Sequence, residues 1–351
     1  MSDERKRPYK DVIARIIAEK KKHVNSMKAD HLSRRILDGE KAALSEAITL
    51  IESTKSEHIE EGQKLLSQLL PHSGNSVRIG ITGVPGVGKS TFIESFGSYL
   101  IQQGKKVAVL AIDPSSERSG GSILGDKTRM IKLSSNENAF IRPSATAGSL
   151  GGVARKTRES IILCEAAGFD VILIETVGVG QSEIAVHSMS DFFLLLMLAG
   201  AGDELQGIKR GIMEMADTIL ITKTDGKNIK LANLARSQYK NALHLFPAND
   251  NNWIPKVETI SSIEEKGIEK VLDIIQQFED VTKPSGWFEK KRKRQEQYWL
   301  KEEIQHKLLQ NFNQKKGIKQ KLEEVQQQLN VGKITSFQAS DIILKYYLNN
   351  E

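Results

Sequence analysis

The sequence predicts an α/β fold: a mostly parallel sheet with helices on both faces, an N-terminal helical layer and a C-terminal helical extension. Three observations carry that expectation. Between Val77 and about Phe278, short apolar runs alternate with helical stretches. The runs are Arg78–Thr82, Val107–Ile112, Asp170–Ile174, Phe192–Leu198, Asp217–Thr222 and Lys256–Ile260. They are continuous in Val, Ile and Leu rather than apolar–polar alternations, the pattern of strands covered on both faces. Second, the first run breaks into a Gly-rich turn that leads directly into a helix start. Third, both flanks change composition, which places boundaries at 1–75, 76–283 and 284–351.

The N-terminal 75 residues read as helical throughout. Leu44, Ile48 and Ile51 recur at helical spacing, and Leu65, Leu66, Leu69 and Leu70 form a second stripe. Pro71, Gly74 and Asn75 then punctuate the chain.

The Gly-rich turn is Gly83-Val84-Pro85-Gly86-Val87-Gly88-Lys89-Ser90-Thr91. It fits G-x-x-x-x-G-K-[ST] in the strand–turn–helix setting that pattern requires, a P-loop. Glycines let backbone N–H groups close around phosphate oxygens, and the helix N-terminus adds partial positive charge. Lys89 is expected to reach the β- and γ-phosphates and the Ser90 hydroxyl to sit on a magnesium ion. Nucleotide binding follows. By P-loop criteria the fold is that of a P-loop NTPase, and each further motif falls at a strand's carboxyl end, where ligands bind in such sheets.

Asp113-Pro114-Ser115-Ser116 follows the second run, and Gly125-Asp126-Lys127-Thr128-Arg129-Met130 lies in a Gly/Ser-rich loop. Asp113 and Asp126 read equally as carboxylates that approach magnesium or the γ-phosphate and as Asx-turn or cap residues. Glu175-Thr176-Val177-Gly178 follows the third run with the spacing D-x-x-G, Glu standing for Asp. Glu175 is placed to hold magnesium through its water shell, and the Gly178 N–H to meet the γ-phosphate. Val179 stands where many GTPases carry the Gln that orients the attacking water. Hydrolysis is therefore expected to be slow unaided, and Gln181 lies too far along for that task.

Thr222-Lys223-Thr224-Asp225 resembles the guanine-reading N-K-x-D. The Asp225 carboxylate can accept both the ring N–H and the exocyclic amino group of guanine, which adenine does not present. The Lys223 stem can pack over the base. Thr222 replaces the usual Asn and removes an amide that braces the P-loop, so reduced affinity is expected. Ser261-Ser262-Ile263 is placed to offer backbone N–H groups to the guanine oxygen. The stretch Leu198 to Ile212, with four glycines and paired charges, suits either a loop that changes shape with nucleotide state or a strand-to-helix connection capped by Asp203. After Pro284, Leu300, Ile304, Leu308 and Phe312 form one helical stripe and Ile318, Leu322, Val325 and Leu329 another. These helices either dock a partner or second copy, or pack on the chain's own core.

Composition narrows the classes. The chain has 351 residues, 39% hydrophobic and 27% charged, as in soluble globular proteins. A single cysteine, Cys164 in an apolar helical setting, excludes a disulfide framework and reads as a buried, inert thiol. No run reaches the about 18 apolar residues of a membrane span, and the charged start from Asp3 onward is unlike a secretory signal. A cytoplasmic protein is expected. Each flank, 1–35 and 283–351, carries a net +6, which leaves −6 for 36–282. The densest run, Lys290 to Arg294, lacks interleaved aromatics and is read as a solvated or protein-facing surface, so neither nucleic acid nor membrane is expected as a partner.

Gly83–Thr91, Asp113–Ser116, Gly125–Met130, Glu175–Glu183 and Gly202–Gly211 together resemble the MeaB/ArgK family over nearly the whole chain. The resemblance implies a GTPase that acts as chaperone for an adenosylcobalamin-dependent acyl-CoA mutase of the methylmalonyl-CoA type. It implies GTP/GDP and Mg2+ as cofactors, with Ser90, Asp113, Asp126 and Glu175 at the magnesium site. It makes Asp113–Arg129 and Glu175–Glu183, which contains Gln181, the first two switch regions. Asp203–Lys209, with Glu204 inside it, becomes a third switch that relays nucleotide state to the mutase. The C-terminal extension would form a homodimer. Rival readings are a kinase or ATPase linked to arginine and ornithine transport, a GTPase metallochaperone, and a module that holds nucleotide without hydrolysing it. The metallochaperone needs a thiol or imidazole cluster, which one Cys and seven scattered His do not offer.

Overall fold

The structure is a computed structural model that describes residues 28–112, 130–143, 150–176, 182–200, 210–247 and 250–349. The chain divides into two compact units, Met1–Arg292 and Lys293–Glu351.

Among the described residues the first unit is built on seven parallel strands: β1 (Val77–Gly83), β2 (Val107–Ile112), β3 (Ala139–Arg142), β4 (Val171–Thr176), β5 (Phe192–Leu198), β6 (Thr218–Thr222) and β7 (Lys256–Thr259). Their order across the sheet is β3-β2-β4-β1-β5-β6-β7. All six apolar runs are strands, with ends shifted by a residue or two. β3 is additional. It has four residues, lies at the sheet edge beside β2 and follows the polar Asn136-Glu137-Asn138, so no apolar run announces it.

Side chains from successive strand positions enter two cores. Phe192, Leu194 and Leu196 of β5 face one core with Ile79 and Ile81 of β1 and Leu173 of β4. Leu195 and Met197 of β5 face the other with Ile219 and Ile221 of β6. Helix α4 (Lys89–Gln102) covers the first face through stacked Phe92 and Phe96, together with α10 (Ile268–Thr282). Helices α8 (Arg210–Met215) and α9 (Ile229–Leu243) cover the second. Apolarity on both faces is what makes the strand segments read as unbroken runs.

Before the sheet stand α1 (Ala29–Leu37), α2 (Lys41–Glu52) and α3 (Ser56–Leu69), which pack on one another and on α6 (Leu150–Ala166). Polar contacts fix this layer to the β3 edge. Lys41 donates to the Asn136 and Ala139 carbonyls, and Arg142 pairs with Glu52. Cys164 of α6 is wholly buried, and burial pushes its thiol pKa up. Short helices α5 (Ile131–Ser134) and α7 (Ser182–His187) also belong to the unit.

At the amino ends of the strands, buried Asp191 accepts from the Arg78 N–H at 2.8 Å and from Arg292 Nε and Nη2 at 2.8 and 2.6 Å. Arg292 belongs to α11 (Trp287–Gln314), which begins in the first unit and ends in the second.

The second unit holds the rest of α11 with α12 (Ile318–Asn330) and α13 (Ser336–Asn349). Ile318, Val325 and Ala339 are buried, and the Phe312 and Tyr347 rings meet at 5.3 Å. Leu300, Ile304, Leu308 and Phe337 are exposed. No helix among the described residues is long and apolar enough to cross a membrane.

Candidate nucleotide site

β1 is central in the sheet. From its carboxyl end the chain crosses to β2 on one side, and from β4 it crosses to β5 on the other. The loop after β1 therefore sits where the connections diverge, the position at which doubly wound sheets bind ligand. Register brings the other motif-bearing ends alongside. Ile81 pairs with Glu175, Gly83 with Leu196, and Leu198 with Thr222.

The loop Gly83–Gly88 has the backbone that its glycines permit. Gly86 and Gly88 have φ of +78° and +99°, and Gly88 caps α4 from the left-handed region. At Gly83 the limit is space, because a Cβ there would lie 2.5 Å from the Leu196 carbonyl oxygen. Val87 is buried, while Pro85, Gly86 and Thr91 are exposed and Val84 is half-buried. Lys89, 8% exposed, donates from Nζ to the Gly83 carbonyl at 2.7 Å and to the Val84 carbonyl at 3.4 Å. Burial holds its pKa below the usual lysine value, and the Glu175 and Glu183 carboxylates oppose that shift. The ammonium folds over the carbonyls of its own loop, and the two carboxylates favour its charged form.

Ser90 Oγ lies 3.4 Å from Glu175 Oε1, and the Glu175 side chain is buried near the end of β4. These are hard oxygen donors of the kind Mg2+ takes. Beside them Thr82 Oγ1 and Thr176 Oγ1 share a buried hydrogen bond at 2.9 Å. Motif spacing does not single out this pair, although each threonine closes an apolar strand next to a motif residue.

At the end of β6, Thr222 corrects an expectation. It lacks the amide of an Asn, yet the brace on the P-loop is present. Thr222 Oγ1 stands 2.7 Å from the Val87 carbonyl oxygen and 3.2 Å from that of Met197. The hydroxyl is shorter than an amide, but the register of β6 beside β5 carries it within direct reach. Lys223 is exposed with φ +56°, a left-handed conformation rare for a lysine. Asp225 Oδ2 accepts from Ser261 Oγ at 3.0 Å, and the Thr224 N–H donates to the Ile260 carbonyl at 3.2 Å. Ser261 is buried and its N–H is engaged by the Lys266 carbonyl, whereas Ser262 is half-buried and Ile263 exposed.

The structure thus brings together Gly83–Thr91, Glu175, Lys223, Asp225 and Ser261–Ile263. Asp113, Asp126, Arg129, Gly178, Gln181, Asp203, Glu204 and Lys209 lie outside the described residues.

Comparison with known proteins agrees with this geometry. The profile of the family described as methylmalonyl Co-A mutase-associated GTPase MeaB matches residues 44–317. A probable GTPase of Mycobacterium tuberculosis is 48% identical over 316 residues, 90% of this chain and 94% of the relative. GTPase ArgK of Escherichia coli is 48% identical over 276 residues, 79% of this chain and 83% of the relative. The mitochondrial methylmalonic aciduria type A homolog of Mus musculus is 45% identical over 328 residues, 91% of this chain and 79% of the relative. Among solved structures, an LAO/AO transport system kinase superposes with a TM-score of 0.72 at 36% identity, covering 91% of this chain and 97% of its own. A P-loop between strand and helix, a family profile over most of the chain and relatives named GTPases converge: this chain is a P-loop GTPase that belongs to the methylmalonyl-CoA mutase-associated MeaB family.

Proposed function

We propose that this GTPase is a magnesium-dependent switch that gates cofactor loading or protection of an adenosylcobalamin-dependent acyl-CoA mutase of the methylmalonyl-CoA type. The observation that carries the reading is the match over residues 44–317 to a family described as mutase-associated. The mouse relative named for methylmalonic aciduria supports it. The protein would act in the cytoplasm.

In this reading the P-loop amides and Lys89 stabilise charge on the phosphates as water attacks the γ-phosphorus and the bond to GDP breaks. Ser90 and Glu175, with Asp113 and Asp126, are the residues that would hold Mg2+. Bound there, the ion neutralises phosphate charge. The Gly178 N–H meets the γ-phosphate. Asp225 selects guanine, the Lys223 stem covers the base, and the Ser262 and Ile263 amides serve its oxygen, since that of Ser261 is engaged. Arg129, Gln181, Asp203, Glu204 and Lys209 belong to segments that report the γ-phosphate to the partner. The extension from 284 onward is the dimerisation or partner element.

Phosphate release from radiolabelled GTP, with and without a methylmalonyl-CoA mutase, tests the reading. Slow release that the mutase accelerates, together with co-elution of the two proteins, is expected. Unchanged release and no complex would refute the mutase link. The name of the solved transport-system kinase favours one rival, transfer of the label to a protein hydroxyl. Label found on protein rather than on inorganic phosphate would establish that rival.

A further inference from the structure

At the amino ends of β6 and β7, away from the strand ends that carry the nucleotide motifs, lies a cavity of about 390 Å³. It opens between α8, the end of α9 and the chain that leads into β7. That volume falls in the range of sites for small organic molecules. β6, five residues and about 16 Å long, separates it from Lys223 and Asp225.

The apolar wall of this cavity is fixed before any ligand arrives. Met213 and Trp253 are buried and Phe246 is half-buried. Trp253 is pinned, because its Nε1–H donates to the Asp217 carbonyl and its backbone N–H to Asn251 Oδ1, both at 2.9 Å. Its ring also meets Phe278 edge-on at 5.4 Å in the core. A wall held in this way loses little conformational freedom on binding.

Three polar side chains line the same cavity: Glu214, His244 and Asn252. All three are exposed, and none has a hydrogen-bond or ion-pair partner among the described residues. Glu214 is the only carboxylate of the described lining, and no lysine or arginine accompanies it. Lys256, whose ammonium lies over the Trp253 ring at 5.2 Å, is engaged by Gln277 and is not part of the lining. A positive charge on a ligand therefore meets Glu214 without competition from a lining cation, whereas a negative charge meets repulsion.

We propose that this cavity is a second ligand site, separate from the nucleotide site, for a small organic amine with an apolar ring body. The ring packs against Trp253, Phe246 and Met213, and the protonated amino group pairs with Glu214. His244 and Asn252 supply hydrogen bonds at the rim.

The test uses the full chain with tryptamine as the probe and indole-3-acetate as its anionic counterpart on the same ring. Binding is followed by saturation-transfer NMR and calorimetry, with and without GDP and Mg2+. Tryptamine is expected to bind with a Kd on the order of 1 mM, as befits a ligand of its size, and indole-3-acetate at least about tenfold more weakly. GDP should leave both affinities within about twofold. Glu214→Gln should weaken tryptamine about fivefold, and Glu214→Lys should make indole-3-acetate the better ligand. Glu214 is exposed, so neither variant should disturb folding; unchanged circular dichroism checks this, and Glu214→Gln decides alone should the lysine variant fail to fold. Glu269→Lys, an exposed carboxylate on α10, controls for overall charge and should leave the preference as in the parent. Absence of tryptamine binding would overturn the proposal. So would displacement of tryptamine by GDP, or a preference that Glu214 substitutions leave unchanged or that Glu269→Lys shifts equally.

Discussion

Ser90 Oγ and Glu175 Oε1 stand 3.4 Å apart, one at the first turn of α4 and the other near the end of β4. The contact is long for a hydrogen bond, and its two oxygens come from segments 85 residues apart in the chain. Glu175→Gln keeps the size and removes the charge. Hydrolysis by this variant is expected to fall at least about tenfold at fixed Mg2+ and to recover partly as Mg2+ is raised. GDP binding without Mg2+ should change little. A magnesium titration of phosphate release identical to the parent's would remove Glu175 from the metal site.

Asp225, held by the Ser261 hydroxyl, presents only acceptors when ionised. Asn at this position presents one donor and one acceptor. Xanthine offers a carbonyl and an N–H where guanine offers two donors. Asp225→Asn is therefore expected to lose GTP affinity by about tenfold or more and to gain affinity for XTP. Competition against fluorescent GDP measures both, and unchanged GTP preference would place the base elsewhere.

Gly80 lets α7 lie against β1. A Cβ there would stand 2.3 Å from Ser190 Oγ and 2.8 Å from both Phe193 Cδ2 and Val186 Cγ1. Gly80→Ala should destabilise the fold by about 1–3 kcal/mol, the usual cost of overpacking. Combining it with Val186→Ala and Ser190→Ala should return part of that loss in denaturant titrations. Additive losses would show that the helix does not bear on this glycine.

His187, at the end of α7, has its ring edge-on to Phe193 at 5.3 Å. Burial, and secondarily the Lys291 ammonium, lowers its pKa from the usual 6.5 to about 3. The unfolded chain therefore takes up this proton at higher pH than the folded one does. The histidine's contribution is fully present above about pH 6.5 and is lost progressively as pH falls towards 3. His187→Gln should flatten that part of the stability–pH curve, measured by urea titrations at stepped pH. An unchanged slope would mean that the imidazole is charged in the folded protein.

Much of the fold and of the site is legible in local pattern. A parallel sheet buried on both faces leaves continuous apolar runs, so six of the seven strands among the described residues stand out in the amino-acid sequence. The missing one, β3, is four residues at a sheet edge, and its place there follows from pairing with β2. A phosphate cradle is likewise local, because Gly83, Gly88, Lys89 and Ser90 are set by the geometry of one turn and one helix start.

Contacts between distant segments come only from the packed chain. In the sequence Thr222 reads as a lost brace, since motif spacing records which residue stands at a position and not what its atoms can reach. Its partner Val87 is 135 residues away, and only the register of β6 on β5 and β5 on β1 brings the hydroxyl within 2.7 Å. The same holds for Thr82 with Thr176 and for Arg292 with Asp191. Local backbone chemistry writes a motif into consecutive residues, whereas a buried polar pair is made only when cooperative packing aligns strands that the chain itself keeps far apart.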